Sequence, residues 1–187
     1  MFDPPRPLWL EIGFGAGEHL AATAAARPEI GFVGCEPFVE GVAKLLAQRA
    51  RLGLDNLRLV VDDARLLLDL LPDASLERIY VLFPDPWPKT RHHKRRIVNP
   101  TTALAFGRLL RPAGEVRLAT DDMAYARVML MCLLDRPEFE WTAERAQDWR
   151  CRPYDDVPTR YEQKATAAGR RSLYFRFRRR PLEGESP

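Results

Sequence analysis

One stretch of fourteen residues holds most of the chemistry that side-chain types can announce: Phe83-Pro84-Asp85-Pro86-Trp87-Pro88-Lys89-Thr90-Arg91-His92-His93-Lys94-Arg95-Arg96. Its first half is apolar and stiff, with one carboxylate, Asp85, fenced by prolines. Prolines 84, 86 and 88 restrict φ and lack a backbone donor, so they can hold Asp85 in one geometry before any ligand arrives. Its second half places five Lys or Arg side chains within eight residues, 89–96. Such a block repels itself unless an anion neutralises it, and a nucleic-acid backbone is the anion suited to so many cations. The grip expected of it is on phosphates, without base specificity. Trp87 is open to two readings, stacking on a base or packing in the core. Lys89 is expected to meet a phosphate or to pair with Asp121.

A second group of residues suits a cationic small molecule. Gly13-Phe14-Gly15-Ala16-Gly17 follows an apolar run and precedes an alanine-rich one. Glycines there let backbone approach a ligand closely. A dinucleotide fingerprint would space its third glycine one residue later and leave the helix N-terminus clear for pyrophosphate. Here Glu11 and Glu18 flank the turn. They would repel a pyrophosphate and accommodate an ammonium and a sulfonium, which S-adenosylmethionine carries. Glu36 lies 19 residues beyond Gly17, where a carboxylate can accept from ribose hydroxyls. Asp63 is placed to reach an adenine amino group. NAD remains the alternative cofactor, because Glu36 would serve it equally.

The elements that must carry these residues alternate between strand and helix. Strands are expected over 8–12, 31–35, 57–61, 76–83 and 115–119. Helices are expected through about Ala26, over 39–51 (with Val42, Leu45, Leu46 and Ala50 as the apolar face), over 64–71, over 100–110 and over 123–134. Strand-like segments at 138–141 and 172–177 bring the count to seven, and 150–164 reads as a long loop. Tyr174, Phe175 and Phe177 read as strand core rather than base-stacking groups. Repeated β-α units imply an α/β fold with a doubly wound, mostly parallel sheet and helices on both faces. Such sheets place their sites at the C-terminal ends of the strands. Apart from Glu11, each acid named here lies at or just beyond one.

Composition narrows the class. A chain of 187 residues, 46% hydrophobic and 29% charged, suits one domain (1–187, with a short arm at 1–7 and a frayed tail at 182–187) and excludes a disordered or membrane protein. No apolar run reaches the length of a bilayer span, and no signal pattern opens the chain. Three scattered cysteines and three histidines lack the spacing of a disulfide framework or a metal site. A reducing cytoplasm is the expected compartment. No apolar docking face is marked, which leaves monomer and homodimer both open. The net charge is only +3, yet cations also gather at Arg170, Arg171, Arg176 and 178–180. The stretch 176–180 is expected to extend the phosphate-binding surface.

From Leu10 to Phe177 the sequence resembles the bacterial tRNA (guanine-N7-)-methyltransferases. The resemblance rests on Leu10 to Gly17 at the glycine turn, on the segment 83–96, on Ala119-Thr120-Asp121 and on Thr159-Arg160-Tyr161-Glu162. It implies a Rossmann-like class I methyltransferase fold and contacts to S-adenosylmethionine from Glu11, Gly13, Gly15, Gly17, Glu36, Asp63 and Asp85. Asp85 would be catalytic, at the junction of cofactor and substrate. Lys89, Asp121, Thr159, Arg160, Tyr161 and Glu162 would bind the substrate nucleotide. Arg91, His92, His93, Lys94, Arg95 and Arg96 would touch tRNA. The implied product is 7-methylguanosine at position 46, in the variable loop. Family members carry a longer basic extension before the first strand, whereas only seven residues precede Leu8 here.

Guanine N7 carries an in-plane lone pair and no proton, so the chemistry needs positioning more than a general base. A carboxylate at Asp85 or Asp121 would stabilise the purine cation as it forms and accept from guanine N1–H and the exocyclic amine. Two other readings stand beside this one: a methyltransferase acting on another substrate, and a non-catalytic tRNA-binding module on a relic cofactor fold.

Overall fold

The structure, a computed structural model, describes residues 2–181. Seven strands form one sheet in the order β3-β2-β1-β4-β5-β7-β6. They are β1 (Leu8–Ile12), β2 (Gly31–Cys35), β3 (Leu57–Val60), β4 (Leu76–Leu82), β5 (Leu110–Thr120), β6 (Phe139–Trp141) and β7 (Leu173–Arg179). The first five pair in parallel, while β7 runs antiparallel to both β5 and β6. The reversal at β7 directs its start, not its end, toward the functional edge. Thr120, the last residue of β5, pairs with Leu173, and Arg178 pairs with Glu115 at the opposite end.

Alternation along the strands sorts side chains into two cores. On one face Leu10, Ile12, Val33, Ile79, Val81, Val116, Leu118 and Phe175 are buried with residues of α3 (Ala64–Leu70), α4 (Pro100–Leu109) and α5 (Met123–Leu134). On the other, Trp9, Phe32 and Tyr80 pack with α1 (Glu18–Ala26) and α2 (Val39–Leu52). Helix ends follow local chemistry. Asn99 caps α4 in a reciprocal box with Thr102, and Pro100 occupies the first helical turn, where its missing N–H costs nothing. Gly53, at φ 62°, closes α2.

The buried stripe of α2 is narrower than its periodicity suggests. Val42 and Leu45 are buried, whereas Leu46 is 46% exposed and Ala50 is exposed. The helix leads to β3, the sheet edge, beyond which no strand extends its cover. The expected loop 150–164 is also corrected. It contains the start of α7 (Arg160–Ala167) and follows the one-turn α6 (Gln147–Arg150). The basic block forms a 3-10 helix, η1 (Thr90–Arg95). Tyr174, Phe175 and Phe177 are buried, as strand core should be. The tail expected to fray, 182–187, lies outside the described residues.

Beside the second core the sheet face turns ionic. Glu11, Tyr80, Arg117 and Arg176 are lateral neighbours across β1, β4, β5 and β7. Arg117, buried, donates to Glu115 (3.0 Å), Asp155 (2.7 Å) and Asp156 (2.5 Å). Burial opposes charge on Arg117, but these carboxylates raise its pKa above the ordinary arginine value. The network fastens segment 153–157 over the sheet and so fixes the approach to α7.

Candidate active site and nucleic-acid interface

Parallel strands deliver their loops to one edge, in spatial rather than sequence order. Along that edge lie Asp63 after β3, Glu36 after β2, the glycine turn after β1, Asp85 after β4 and Asp121 after β5. A cavity of about 370 Å³ opens over the first four of these strands. Gly13, Gly15, Glu36, Asp63 and Asp85 all line it, with Phe38, Phe83 and Trp87 supplying apolar wall and Tyr161 closing it from α7. Gly13 (φ 73°), Gly15 (φ 58°) and Gly17 (φ 80°) are left-handed, a conformation costly for any other residue type. Glu36 ties the turn to the next loop. Its Oε2 accepts from the Gly15 N–H (2.9 Å) and its Oε1 from the Phe38 N–H (3.0 Å).

This donor set fits S-adenosylmethionine. Three acids line the cavity, and Glu18 occupies the first turn of α1, whose N-cap Gly17 offers no side-chain donor. A pyrophosphate would meet carboxylates there, whereas a sulfonium and an ammonium meet complementary charge. Glu36 and Asp63 would hold the polar groups, and Phe38, Ile12 and Ala64 would cover an aromatic base.

Not every expected contact faces the cavity. Glu11 is buried and does not line it: its Oε2 accepts from His19 Nδ1 at 2.7 Å. Gly17 lies outside the lining too, against Leu45, whose side chain a methyl built on Gly17 would meet at 2.7 Å. Asp63 lines the cavity while serving α3 as N-cap, accepting from the Arg65 N–H (2.9 Å) and the Arg65 guanidinium (2.7 Å). Asp85 is exposed and carries no hydrogen bond or ion pair to another described residue. The backbone that aims it is strained at both ends, with Phe83 at φ 52° and Trp87 at φ 44°, each directly before a proline.

The substrate-side residues divide between neighbouring surfaces. Thr159 caps α7, its hydroxyl accepting from the Glu162 N–H at 3.0 Å. Tyr161 lines the cofactor cavity and lies close over Gly15, where a built methyl would come 3.2 Å from its ring. Arg160 flanks a neighbouring recess beside Gly15 and Glu36. Glu162 turns the other way, accepting from Arg152 (2.7 Å) and from the Tyr174 hydroxyl (2.7 Å). Lys89 is exposed at the start of η1 and does not pair with Asp121, which accepts from Arg170 Nε at 2.6 Å instead.

The basic block splits between the exposed 3-10 helix and the residue that follows it. Arg91, His93, Lys94 and Arg95 are exposed, and His92 is half-buried, its ring edge-on to Trp87 at 5.8 Å. Arg95 stacks over Trp87 at 4.8 Å. Trp87 is half-buried between wall and solvent. Arg96 departs from the expectation of a phosphate ligand. It is 6% exposed, donates through Nε to the Pro86 carbonyl (2.7 Å) and lies over Tyr125 at 4.8 Å. It braces the turn that presents Asp85. The stretch 176–180 also departs: Arg176 pairs with Glu115, Arg179 is buried with its Nε on the Gly107 carbonyl, and the reversal of β7 carries the stretch away from the site.

A sheet ordered 3-2-1-4-5-7-6 with its seventh strand reversed and an acid-rimmed cavity over the first four strands is the architecture of class I S-adenosylmethionine-dependent methyltransferases. Among solved structures, the 16S rRNA methyltransferase KamB matches with a TM-score of 0.68 at 15% identity, over 94% of this chain and 88% of that one, which speaks for the fold. A family model described as "Putative methyltransferase" matches residues 5–174. The tRNA (guanine-N(7)-)-methyltransferase of Rhodospirillum rubrum is 55% identical over 180 residues, covering 95% of this chain and 71% of the relative. The protein of that name from Paracoccus denitrificans is 46% identical over 181 residues, covering 96% and 75%. The chain belongs to the tRNA (guanine-N7)-methyltransferase family, whose methyl donor is S-adenosylmethionine.

Sequence reasoning passed over several contributors. Phe38, 73% exposed, follows Glu36-Pro37 at a strand end, a position that could have flagged it. Arg65 lines the cavity but stands in ordinary charged surroundings in the sequence, and Arg95, expected to touch tRNA, also lines it. His19 gave no signal beyond lying in the first turn of α1.

Proposed function

We propose that this chain methylates N7 of guanine at position 46 in the tRNA variable loop, with Asp85 as the group that meets the base. The observation that carries the reading is that Asp85, free of partners among the described residues, shares one cavity with Gly13, Gly15 and Glu36. S-adenosylmethionine, when bound, supplies an electrophilic methyl on cationic sulfur. Attack by the N7 lone pair would form the N–C bond as the S–C bond broke, which would move positive charge from sulfur to the purine, beside Asp85. Asp85 offers a carboxylate to that arriving charge and to guanine N1–H and N2–H. Adenine presents the wrong edge to it and is rejected. Phe83, Trp87 and Tyr161 form the cavity wall beside the carboxylate. Glu36, Gly13, Gly15 and Asp63 hold the cofactor, Glu11 supports the turn from below, and Lys89, Asp121, Thr159 and Arg160 approach the substrate nucleotide. Arg91, His93, Lys94 and Arg95 grip phosphates. The reaction belongs in the cytoplasm, with tRNA as partner.

The test is methyl transfer from labelled S-adenosylmethionine to an unmodified tRNA transcript, with a transcript carrying adenine at position 46 as control. Label should enter the first as 7-methylguanosine and not the second. Asp85→Ala should abolish transfer while calorimetry still reports cofactor binding. Full activity in that variant removes Asp85 from the mechanism, and a different modified nucleoside redirects the reading to another substrate.

A further inference from the structure

A second cavity, of about 600 Å³, lies on the other side of the first turn of α7. Tyr161 lines the cofactor cavity, and its neighbour Glu162 lines this one. Its cations are Arg150, Arg152, Arg170 and Arg171, and Glu162 is the acid that lines it. Two of the four are already neutralised: Arg152 by Glu162 at 2.7 Å and Arg170 by Asp121 at 2.6 Å. Arg150 and Arg171 are exposed, and neither has an ion-pair partner among the described residues. Arg150 instead lies over the Trp149 ring at 4.5 Å, forming a flat cationic and aromatic wall. The cavity therefore presents two unneutralised guanidinium groups, which suit phosphate oxygens, beside a surface on which a base can stack.

Position identifies the partner. Along the functional edge, η1 follows β4, Asp121 follows β5, and Arg170 to Tyr174 enter β7. The arginine cavity thus lies on the β5 and β7 side of Asp85, the group proposed to meet the target base, while the basic 3-10 helix follows Asp85 in the loop after β4. We propose that this cavity is a second phosphate-binding site for the tRNA, holding the strand that continues past the methylated guanine, with Arg150 and Arg171 as its phosphate contacts. The Asp121–Arg170 pair joins the end of β5 to this cavity, which Arg170 lines. This inference rests on the tRNA reading above.

The experiment compares wild-type protein with an Arg150→Ala/Arg171→Ala variant. Binding of fluorescently labelled unmodified tRNA is followed by anisotropy between 50 and 300 mM KCl, values of roughly that range being where counterion release is steep. Loss of two phosphate contacts should reduce the slope of log K against log salt by about 1.4–1.8. Cofactor affinity by calorimetry should not change. Arg171→Gln alone should reduce the slope by about 0.7–0.9, which keeps the test available if the double variant folds poorly. Arg178→Ala, at the opposite end of β7, should leave the slope as in wild type. Equal slopes for wild type, Arg171→Gln and the double variant overturn the proposal. Failure of the tRNA reading itself shows separately, as wild-type protein that transfers no methyl to tRNA.

Discussion

The backbone N–H of Gly15 donates to the carboxylate of Glu36 at 2.9 Å, so the acid expected to face the cofactor also holds the cofactor turn in shape. The second oxygen of Glu36 accepts from Phe38, which leaves both oxygens engaged before any ligand binds. Glu36→Gln keeps the size but sets an NH₂ against one of these two N–H donors. Losing one hydrogen bond to a charged acceptor costs about 1.5–3 kcal/mol. Calorimetry should therefore report cofactor affinity at least tenfold weaker, together with a lower melting temperature. Unchanged affinity would mean that the carboxylate shapes the turn without serving the ligand.

Gly41 tests the same turn from the opposite side. A methyl built there would lie 2.2 Å from the Gly15 carbonyl oxygen, a clash with backbone rather than with a side chain that could swing away. Gly41→Ala should displace the start of α2 from the turn and destabilise the fold by about 1–3 kcal/mol, as overpacking does. Urea unfolding with and without S-adenosylmethionine should show the cofactor's stabilising shift reduced in the variant.

Arg96 and Lys94, two residues apart in one basic block, should behave oppositely. Arg96→Ala removes the brace on Pro86 and the contact over Tyr125, so stability should fall by about 1–3 kcal/mol and activity should fall with it. Lys94→Ala, at an exposed position, should leave the melting temperature in place and flatten the salt dependence of tRNA binding. Thermal melts and anisotropy titrations on both variants separate brace from grip.

His19 makes stability depend on pH. Burial opposes its charge, but the charge and hydrogen bond of Glu11, reinforced by Asp156 and opposed by Arg117, raise its pKa above the ordinary value of 6.5. Tyr80 packs against the ring at 4.9 Å. Between the unfolded and folded pKa values the native state binds the extra proton, so the contribution is full below pH 6.5 and is lost as pH rises through the folded value. Urea midpoints measured from pH 6 upward should fall for wild type and fall less for His19→Gln. Parallel curves would assign the pH response to other groups.

The sequence made the parallel half of the fold legible because its strands carry short apolar runs, fully buried in β2 and nearly so in β1, each followed by an acid or a glycine. Glu36, Asp63 and Asp85 reached the cavity for that reason. Glu11 did not, because strand alternation sets it beside Tyr80 on the α1 side, where His19 takes it. The start of α7 was marked by Thr159 and Glu162 three residues apart, a helix-start signature hidden in a polar stretch without hydrophobic period. Direction was invisible for β7, since alternation looks the same read either way, and its arginines were assigned to the wrong end of the sheet. Arg96 could not be told from Arg95 by type. Arg96 leaves η1 as its C-cap and turns inward onto the Pro86 carbonyl, whereas Arg95 ends the helix exposed.

That reversed last strand has an evolutionary corollary. Residues 142–172 form an excursion between two strands of one antiparallel pair at the rim of the sheet, while the donor pocket is built almost wholly from chain before Ile97. Apart from Tyr161, the excursion and the lining of the donor pocket are separate stretches of polypeptide. Substitutions confined to the excursion leave every residue lining the donor pocket except Tyr161 unchanged, so the two stretches can vary separately.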